Sequence, residues 1–448
     1  MTTPLCDFVR AYAAHQGARL HMPGHKGRGP LGVETLDITE IGGADELYHA
    51  RGVIRESEEN ASSLFGTART LYSAEGSSLC VRAMVYLALL EARERGRAPR
   101  LLAARNAHKA LMTAAALLGV EIDWLLPPDG SLLRCLPDPA ALDARLSAET
   151  PMAVYITSPD YLGHCADVAA LAAVCHAHGV PLLVDNAHGA YLRFLPRDRH
   201  PISLGADLCC DSAHKTLPCL TGTAYLHIGR GAPASFGENA EAALALFAST
   251  SPSYLLLYSL DAANPLLAGA FPARLAACVE RTEALRQKLR DHGFALAGEE
   301  PMKITLAPKA FGYTGEQVHD ALRQRGIECE FADPDALVLM PSPSTPDAHW
   351  ALLEAALLAL PRRAPLAETP PPLPAPERVL SLREALLAPR ERLPLARCLG
   401  RVLADAHAGC PPAVPILTAG ERITAAALRC MQYYDKEDCM VVRKGEKP

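Results

Sequence analysis

Short apolar runs alternate along the chain with longer stretches whose apolar positions recur at helical spacing, and glycine, serine or charge marks most junctions. A helical stretch from Glu58 to Phe65 leads into Thr70-Leu71-Tyr72-Ser73, which reads as a strand, and Gly76-Ser77-Ser78 then opens an apolar helix running through Leu90. The same unit returns three times. Leu101 to Ala104 precedes a helix from His108 to Leu118, Ala153 to Thr157 precedes a helix from Val168 to His178, and Pro181 to Val184 ends on Asp185. Strands this apolar, alternating with helices, predict an α/β fold with a mostly parallel sheet covered on both faces.

A long helical segment from Pro272 to His292 opens a second, smaller α/β region. Its strands are expected at Lys303 to Ala307, Ile327 to Phe331 and Ala336 to Met340, around a helix at Gly315 to Arg325. Seven prolines between Pro361 and Pro376 exclude regular helix or strand and predict an extended linker. Beyond it lies a C-terminal domain with amphipathic helices near Leu380 to Leu387 and Thr424 to Tyr433. Before the first strand, the stretch to Glu56 is rich in glycine, histidine and charge, with turn signals at Pro23-Gly24 and Gly42-Gly43, and reads as an arm rather than a packed layer. The expected divisions are therefore an arm over 1–56, a large domain over 57–265, a small domain over 266–360, a linker over 361–376 and a C-terminal domain over 377–448.

At 448 residues the chain is long enough for two or three domains and a large core. Its composition, 49% hydrophobic and 21% charged, is globular, and neither a signal-peptide pattern nor an apolar run of spanning length occurs. That predicts a soluble, cytoplasmic protein with no membrane partner. A formal charge of -6, with no block of Lys or Arg, argues against nucleic acid. Fourteen cysteines scattered without CxxC pairs suggest buried thiols in a reducing compartment, and sixteen histidines include no HExxH or Cys/His knuckle, so no metal is expected. His176 and His178 read as helix-surface residues.

The chemistry concentrates at the ends of predicted strands. Asp211-Ser212-Ala213-His214-Lys215-Thr216 follows Gly205-Ala206-Asp207-Leu208-Cys209-Cys210, where a lysine can face the sheet's carboxyl edge and form a Schiff base with an aldehyde. An isolated lysine is ordinarily a solvated surface residue. Asp185 changes that reading, because a carboxylate ending a buried strand is costly without a cation, and a protonated pyridine nitrogen is such a partner. Gly76-Ser77-Ser78 offers free N–H groups and two hydroxyls to a phosphate, although by itself it is better read as an ordinary serine cap, since such caps are so common. His108 sits at the next strand-to-helix turn, where it could lie over an aromatic ring or simply cap the helix.

Taken together, these segments resemble the Orn/Lys/Arg decarboxylase family, especially its shorter arginine and lysine decarboxylase-like members. The resemblance is carried by Met22-Pro23-Gly24-His25-Lys26-Gly27, Asp37-Ile38-Thr39-Glu40, Gly43-Ala44-Asp45-Glu46-Leu47, Gly76-Ser77-Ser78, Arg105-Asn106-Ala107-His108-Lys109 and Thr157-Ser158-Pro159-Asp160-Tyr161-Leu162-Gly163. It continues through Asp185-Asn186-Ala187-His188-Gly189-Ala190, Ser212-Ala213-His214-Lys215-Thr216-Leu217, Ser249-Thr250-Ser251-Pro252-Ser253-Tyr254, Pro411-Pro412-Ala413-Val414-Pro415 and Gly420-Glu421-Arg422-Ile423. Departures are Asn186 where the family usually has Glu, Asp160 where it often has Thr, and Ala413 and Ala419 in the C-terminal motif. Asp160 puts the usual substrate preference in doubt.

The resemblance implies the aspartate-aminotransferase fold (fold type I), with a large domain, a smaller α/β domain and a C-terminal α+β domain. It implies pyridoxal 5'-phosphate as cofactor, with Lys215 as the Schiff-base lysine, Asp185 on the ring nitrogen and His108 stacked on the ring. Ser77, Ser78, Ser212 and His214 would surround the phosphate, with His188 close to the cofactor. For the protonation that follows loss of the carboxylate, His188 and the freed Lys215 are the candidate general acids. The implied activity is decarboxylation of a basic amino acid (arginine, lysine or ornithine) to a polyamine-type amine. A homodimer or higher homo-oligomer with a shared site is implied as well, Thr250 within Ser249-Thr250-Ser251 reaching a partner's phosphate. Glu40, Asp45, Glu46 and Glu421 are the candidate acids for the substrate's basic end. The alternatives are an aminotransferase or other lyase on the same fold, and a cofactor-free regulatory or scaffolding homologue.

Overall fold

The computed structural model describes residues 1–15, 17–409 and 413–445, so Pro411, Pro412 and Cys410 lie outside the described residues. The chain folds as two compact units, and the cut does not follow chain order. Residues 1–101, 139–158 and 167–273 form the first, while 102–138, 159–166 and 274–448 form the second.

In the first unit five strands lie in the order Arg69–Ser73, Ala224–Ile228, Leu208–Asp211, Leu182–Asp185 and Ala153–Thr157. Leu208–Asp211, Leu182–Asp185 and Ala153–Thr157 are mutually parallel, and Ala224–Ile228 runs against both of its neighbours. Only that strand is reversed, so the sheet is mostly parallel, as its apolar strands predicted. Thr157 pairs with Asp185, Asp185 with Cys210, and Ser73 with Ala224, which brings the carboxyl ends of the parallel strands to one edge.

The first fifty-six residues are not a free arm. Pro4–Ala14 is a helix with Leu5, Cys6 and Val9 fully buried, and the Cys6 N–H donates to Asp261 Oδ2 at 2.8 Å. Proline in the first turn and apolar side chains at 5, 6 and 9 are enough for one buried stripe, a signal too short to stand out beside the glycines that follow. Ile38, Ala44, Leu47, Tyr48 and Ala50 are buried as well. The long helices Gly76–Glu94 and Tyr254–Ala268 complete this unit's packing.

The second unit carries an antiparallel sheet in the order Phe331–Ala332, Leu337–Leu339, Ile304–Ala307, Ala295–Ala297. The strand expected at Ile327 to Phe331 shrinks to its end, because the Ile327 N–H closes the preceding helix on Leu322 O and bonding to the next strand begins only at the Glu330 N–H, which donates to Val338 O at 3.0 Å. Residues 361–376 hold neither helix nor strand, as their prolines require, but they are fastened down. Arg363 N donates to Phe311 O, Leu366 N to Lys309 O and Leu373 N to Gly130 O. After them, Arg390–Pro394 pairs with Asp438–Val442 over a core that includes Leu393, Ile416, Ile423, Met431 and Val441. Among the described residues no single helix is long and apolar enough to cross a membrane. The described cysteines are all free, and all but Cys165, Cys219 and Cys329 are buried.

Burial in the first unit has a measurable pH signature at Glu58. Its carboxyl accepts the Tyr72 N–H at 2.9 Å and is pushed up to about 8 by burial. A folded pKa above the unfolded one means that the neutral form is the stabilising one. Its contribution is therefore complete below the ordinary carboxyl range and is lost as pH rises through about 8. Glu58→Gln keeps the acceptor and cannot ionise. Between about pH 6 and about pH 9 its melting temperature should fall less than that of the wild type, and parallel curves would refute the assignment.

Candidate active site

The strands ending on Ser73, Asp185 and Asp211 each hand the chain to a polar segment at the same edge of the sheet. After Ser73 the backbone turns through Gly76, at φ +69°, into the helix Gly76–Glu94. Among the described residues no side chain caps that helix; the Gly76 N–H donates to Gly222 O at 2.7 Å, and the hydroxyls of Ser77 and Ser78 follow it at the helix start. Ser212, which follows Asp211, donates its hydroxyl to Ser77 Oγ at 2.8 Å. Two chain segments thus meet in a nest of donors suited to a phosphate. Ser249 N donates to Glu75 Oε1 at 2.6 Å, which fixes the Ser249–Ser251 segment beside the same helix start of its own chain, with Thr250 exposed.

Lys215 lies on the one-turn helix Ala213–Thr216, exposed, with Nζ 3.0 Å from Nε2 of the buried His188. His214 turns away from that pair, its Nδ1 bonding the Thr223 carbonyl at 2.8 Å. Asp185 is buried, and its contacts are all neutral donors. Tyr155 donates its hydroxyl to Oδ2 at 3.0 Å, while the Ala187 N–H and the Cys210 thiol reach Oδ1 at 3.2 and 3.6 Å. Burial first, and Asp185 second, hold the Tyr155 phenol far above its ordinary pKa, so it stays a donor. Among the described residues no cation pairs with Asp185. A buried carboxylate with donors but no counter-ion fits the protonated nitrogen of a heterocycle, and a lysine amine at the same edge fits an aldehyde. Pyridoxal phosphate presents both, together with a phosphate for the donor nest. The buried hydroxyls of Thr157 and Thr216, which have no partner, add to that fit.

Tyr155 escaped the sequence reading, although its signal was there. Period-two alternation puts it on the same face as Thr157, which pairs with Asp185. Asn186, noted only as a departure, donates its amide to Asp211 Oδ1 at 2.7 Å, a contact that no local pattern announces.

The remaining candidates fall elsewhere. In the second unit His108 caps the helix Lys109–Leu118, its Nδ1 accepting the Ala110 N–H at 3.3 Å. Asp160 is spent on His164, accepting its N–H and its Nδ1–H, each at 2.8 Å. Glu421 forms a two-pronged ion pair with Arg105 at 2.8 and 2.7 Å, the side chains only 2% and 1% exposed, and also accepts the Thr418 N–H. Arg105 further stacks over Trp124. In the first unit Asp45, at φ +69°, gathers the N–H groups of Glu46, Arg51, Gly52, Ile54 and Arg55. Burial opposes its ionisation, and those donors outweigh it, holding Asp45 below the usual range. Glu40 and Glu46 are exposed, and burial, then the charge of Glu46, push Glu40 up.

The family model described as "Orn/Lys/Arg decarboxylase, major domain" matches residues 3–307. An arginine decarboxylase of Halalkalibacterium halodurans is 29% identical over 95% of this chain and 92% of its own. Among solved structures, a lysine decarboxylase of Francisella novicida superposes with a TM-score of 0.79 at 18% identity, over 98% of this chain and 81% of that one. A serine palmitoyltransferase of Sphingomonas wittichii does so with 0.54 at 15% identity, over 71% and 79%. At these identities the structures speak for the fold.

The Glu421 placement predicts a stability effect rather than a binding effect. Glu421→Gln leaves a buried guanidinium unpaired and should cost about 3–5 kcal/mol in denaturant unfolding. The Michaelis constant of the reaction should stay within about threefold of the wild type, under half a decade of affinity. A rise in that constant without a loss of stability would return Glu421 to the substrate-binding set.

Proposed function

The chain belongs to the Orn/Lys/Arg decarboxylase family, and on that premise we propose that it removes the α-carboxylate of a basic amino acid, arginine first among them, with pyridoxal phosphate held at Lys215. The observation that carries this reading is the meeting, at one sheet edge, of an exposed lysine amine, a buried carboxylate lacking a cation and an uncapped, hydroxyl-lined helix start. The fold is that of the type I pyridoxal-phosphate enzymes.

When bound, the cofactor supplies an electron sink for the bonding pair left as carbon dioxide departs. Everything else falls to the chain. Lys215 Nζ would hold the aldehyde carbon, and Asp185 would keep the ring nitrogen protonated, its own position set by Tyr155 and the Ala187 N–H. Ser77, Ser78 and Ser212 would take the phosphate, with His214 braced behind them against Thr223. His188, whose Nε2 is 3.0 Å from Nζ, would give or take a proton at Lys215 and so serve the final protonation of the product carbon. His108 is proposed over the ring face. For the substrate's cationic end Glu40 and Glu46 would be the candidates, their carboxylates having no hydrogen-bond or ion-pair partner among the described residues, whereas Asp45 and Glu421 are engaged. A homodimer or larger homo-oligomer with a shared site belongs to the same reading.

The test is purified protein with added pyridoxal phosphate, offered arginine, lysine and ornithine, with amine and carbon dioxide measured. Lys215→Ala should lose both the visible absorbance of bound cofactor and turnover. Asp185→Asn should retain cofactor and lose about 100-fold or more in kcat. A Lys215→Ala protein that keeps its absorbance band and its turnover would sink the assignment.

A further inference from the structure

We infer that Asp211 is a positioning residue for the proposed reaction, holding the turn that carries Asp185 and His188 through the side-chain amide of Asn186. The inference rests on the reading of the site just given.

Asp211 is fully buried and ends its strand facing the opposite side of the sheet from Cys210, whose thiol reaches Asp185. Four donors surround its carboxylate. His200 Nε2 and His227 Nε2 approach Oδ2 at 3.0 and 3.1 Å, while Asn186 Nδ2 and the Cys209 thiol approach Oδ1 at 2.7 and 3.7 Å. The Ile202 N–H donates to His200 Nδ1 at 3.4 Å, so that ring carries its proton on Nε2 and points it at Asp211. His227 Nδ1 lies 2.9 Å from the Thr70 hydroxyl, which can donate or accept, and its Nε2 meets a carboxylate that only accepts, so that nitrogen too donates to Asp211. His200, Cys209 and Asp211 also have the spacing of a metal group, but a protonated His200 Nε2 has no lone pair to give. Burial lowers the His227 pKa and keeps that ring neutral. Asp211 is thus an anion solvated entirely by the protein, and its demand for donors fixes its neighbours.

Asn186 is the neighbour that matters. It is fully buried, and facing a carboxylate it can offer only Nδ2, which sends Oδ1 toward Gly189. A Cβ on residue 189 would stand 1.9 Å from that oxygen, so the turn closes only around glycine. Asn186 N donates to Cys210 O at 3.0 Å, and Gly189 N returns to Asn186 O at 2.8 Å. The turn is therefore bolted by two backbone bonds and one side-chain bond, with Asp185 on one side of the bolt and His188 inside it. A carboxylate at 186 would oppose Asp211 in a dry interior, and an amide at 211 would release Asn186 to rotate. The identities of the two residues are coupled.

Exchanging the two groups tests this. Asp211→Asn, Asn186→Asp and the double variant with both changes keep every side-chain shape and move only the charge. Their kcat and KM, their pyridoxal phosphate affinity and the pH midpoint of the cofactor's visible absorbance are compared with the wild type, alongside melting temperature. Each single change should lower kcat at least tenfold at saturating cofactor, with KM nearly unchanged, and should move the absorbance midpoint. The double variant should recover most of both. Should Asn186→Asp fail to fold, Asp211→Asn and the double variant still decide the matter. Equal kcat and an unmoved midpoint in Asp211→Asn, or a double variant no better than the worse single, would overturn the inference. The absorbance and affinity readouts need no turnover, so they report on the coupling even if none of the three basic amino acids is a substrate.

Discussion

A carboxylate taken out of water has to be met by donors on every side, and two such carboxylates end neighbouring strands of one sheet. Asp185 and Asp211 point to opposite faces, and the adjacent Cys210 and Cys209 divide between them, one thiol to each. Burial keeps both thiols protonated and therefore donating. Around Asp211 the demand is met in full by two imidazoles, an amide and a thiol. Asp185 receives only neutral donors, which leaves a place for a positive charge brought by a ligand. Asp211 accepts from four donors and Asp185 from three, and it is the lack of a cation beside Asp185, among the described residues, that the proposed function draws on.

The second unit solves its largest charge problem differently. Arg105 and Glu421, more than three hundred residues apart in sequence, neutralise one another, with the carbonyl oxygens of Pro415 and Ile416 and the hydroxyl of Thr418 at the guanidinium. Breaking such a pair is costly because either partner alone is a bare buried charge. The pair ties the C-terminal segment to the strand-to-helix turn on which His108 lies. Asp335 does similar work nearby, accepting from Lys309 at 2.8 Å, Tyr433 at 2.7 Å and Tyr434 at 3.0 Å, and so joins the small antiparallel sheet to the helix Ala425–Tyr433.

Function follows from this division of labour. Groups with complete hydrogen-bond sets, such as Asp45, Asp160, Asp211 and Glu421, hold backbone in place, and groups left incomplete or exposed, such as Lys215, Asp185 and the start of the Ser77 helix, are those to which the proposed function gives a part in the reaction. Sequence spacing alone cannot sort one class from the other, because an aspartate in a turn looks the same whether its oxygens are spent or open.

The sequence by itself determined the alternation of strands and helices, the places where strands stop, and the residue types at those stops. Thr70 to Ser73, Ala153 to Thr157 and the run ending on Asp185 were legible because buried parallel strands must be apolar throughout and must change character where they leave the sheet. Lys215, Asp185 and Ser77 stood out as candidates for the same reason. The helix Pro4–Ala14 was not, since one short stripe of apolar residues carries little periodicity. Only the tertiary structure decided that Tyr155 and Cys210 serve Asp185, that Asn186 belongs to Asp211, and that Glu421 belongs to Arg105. Those pairings join residues that local sequence does not connect, and they are fixed by strand register and by the cost of leaving a buried charge unmet, neither of which is written at any single position.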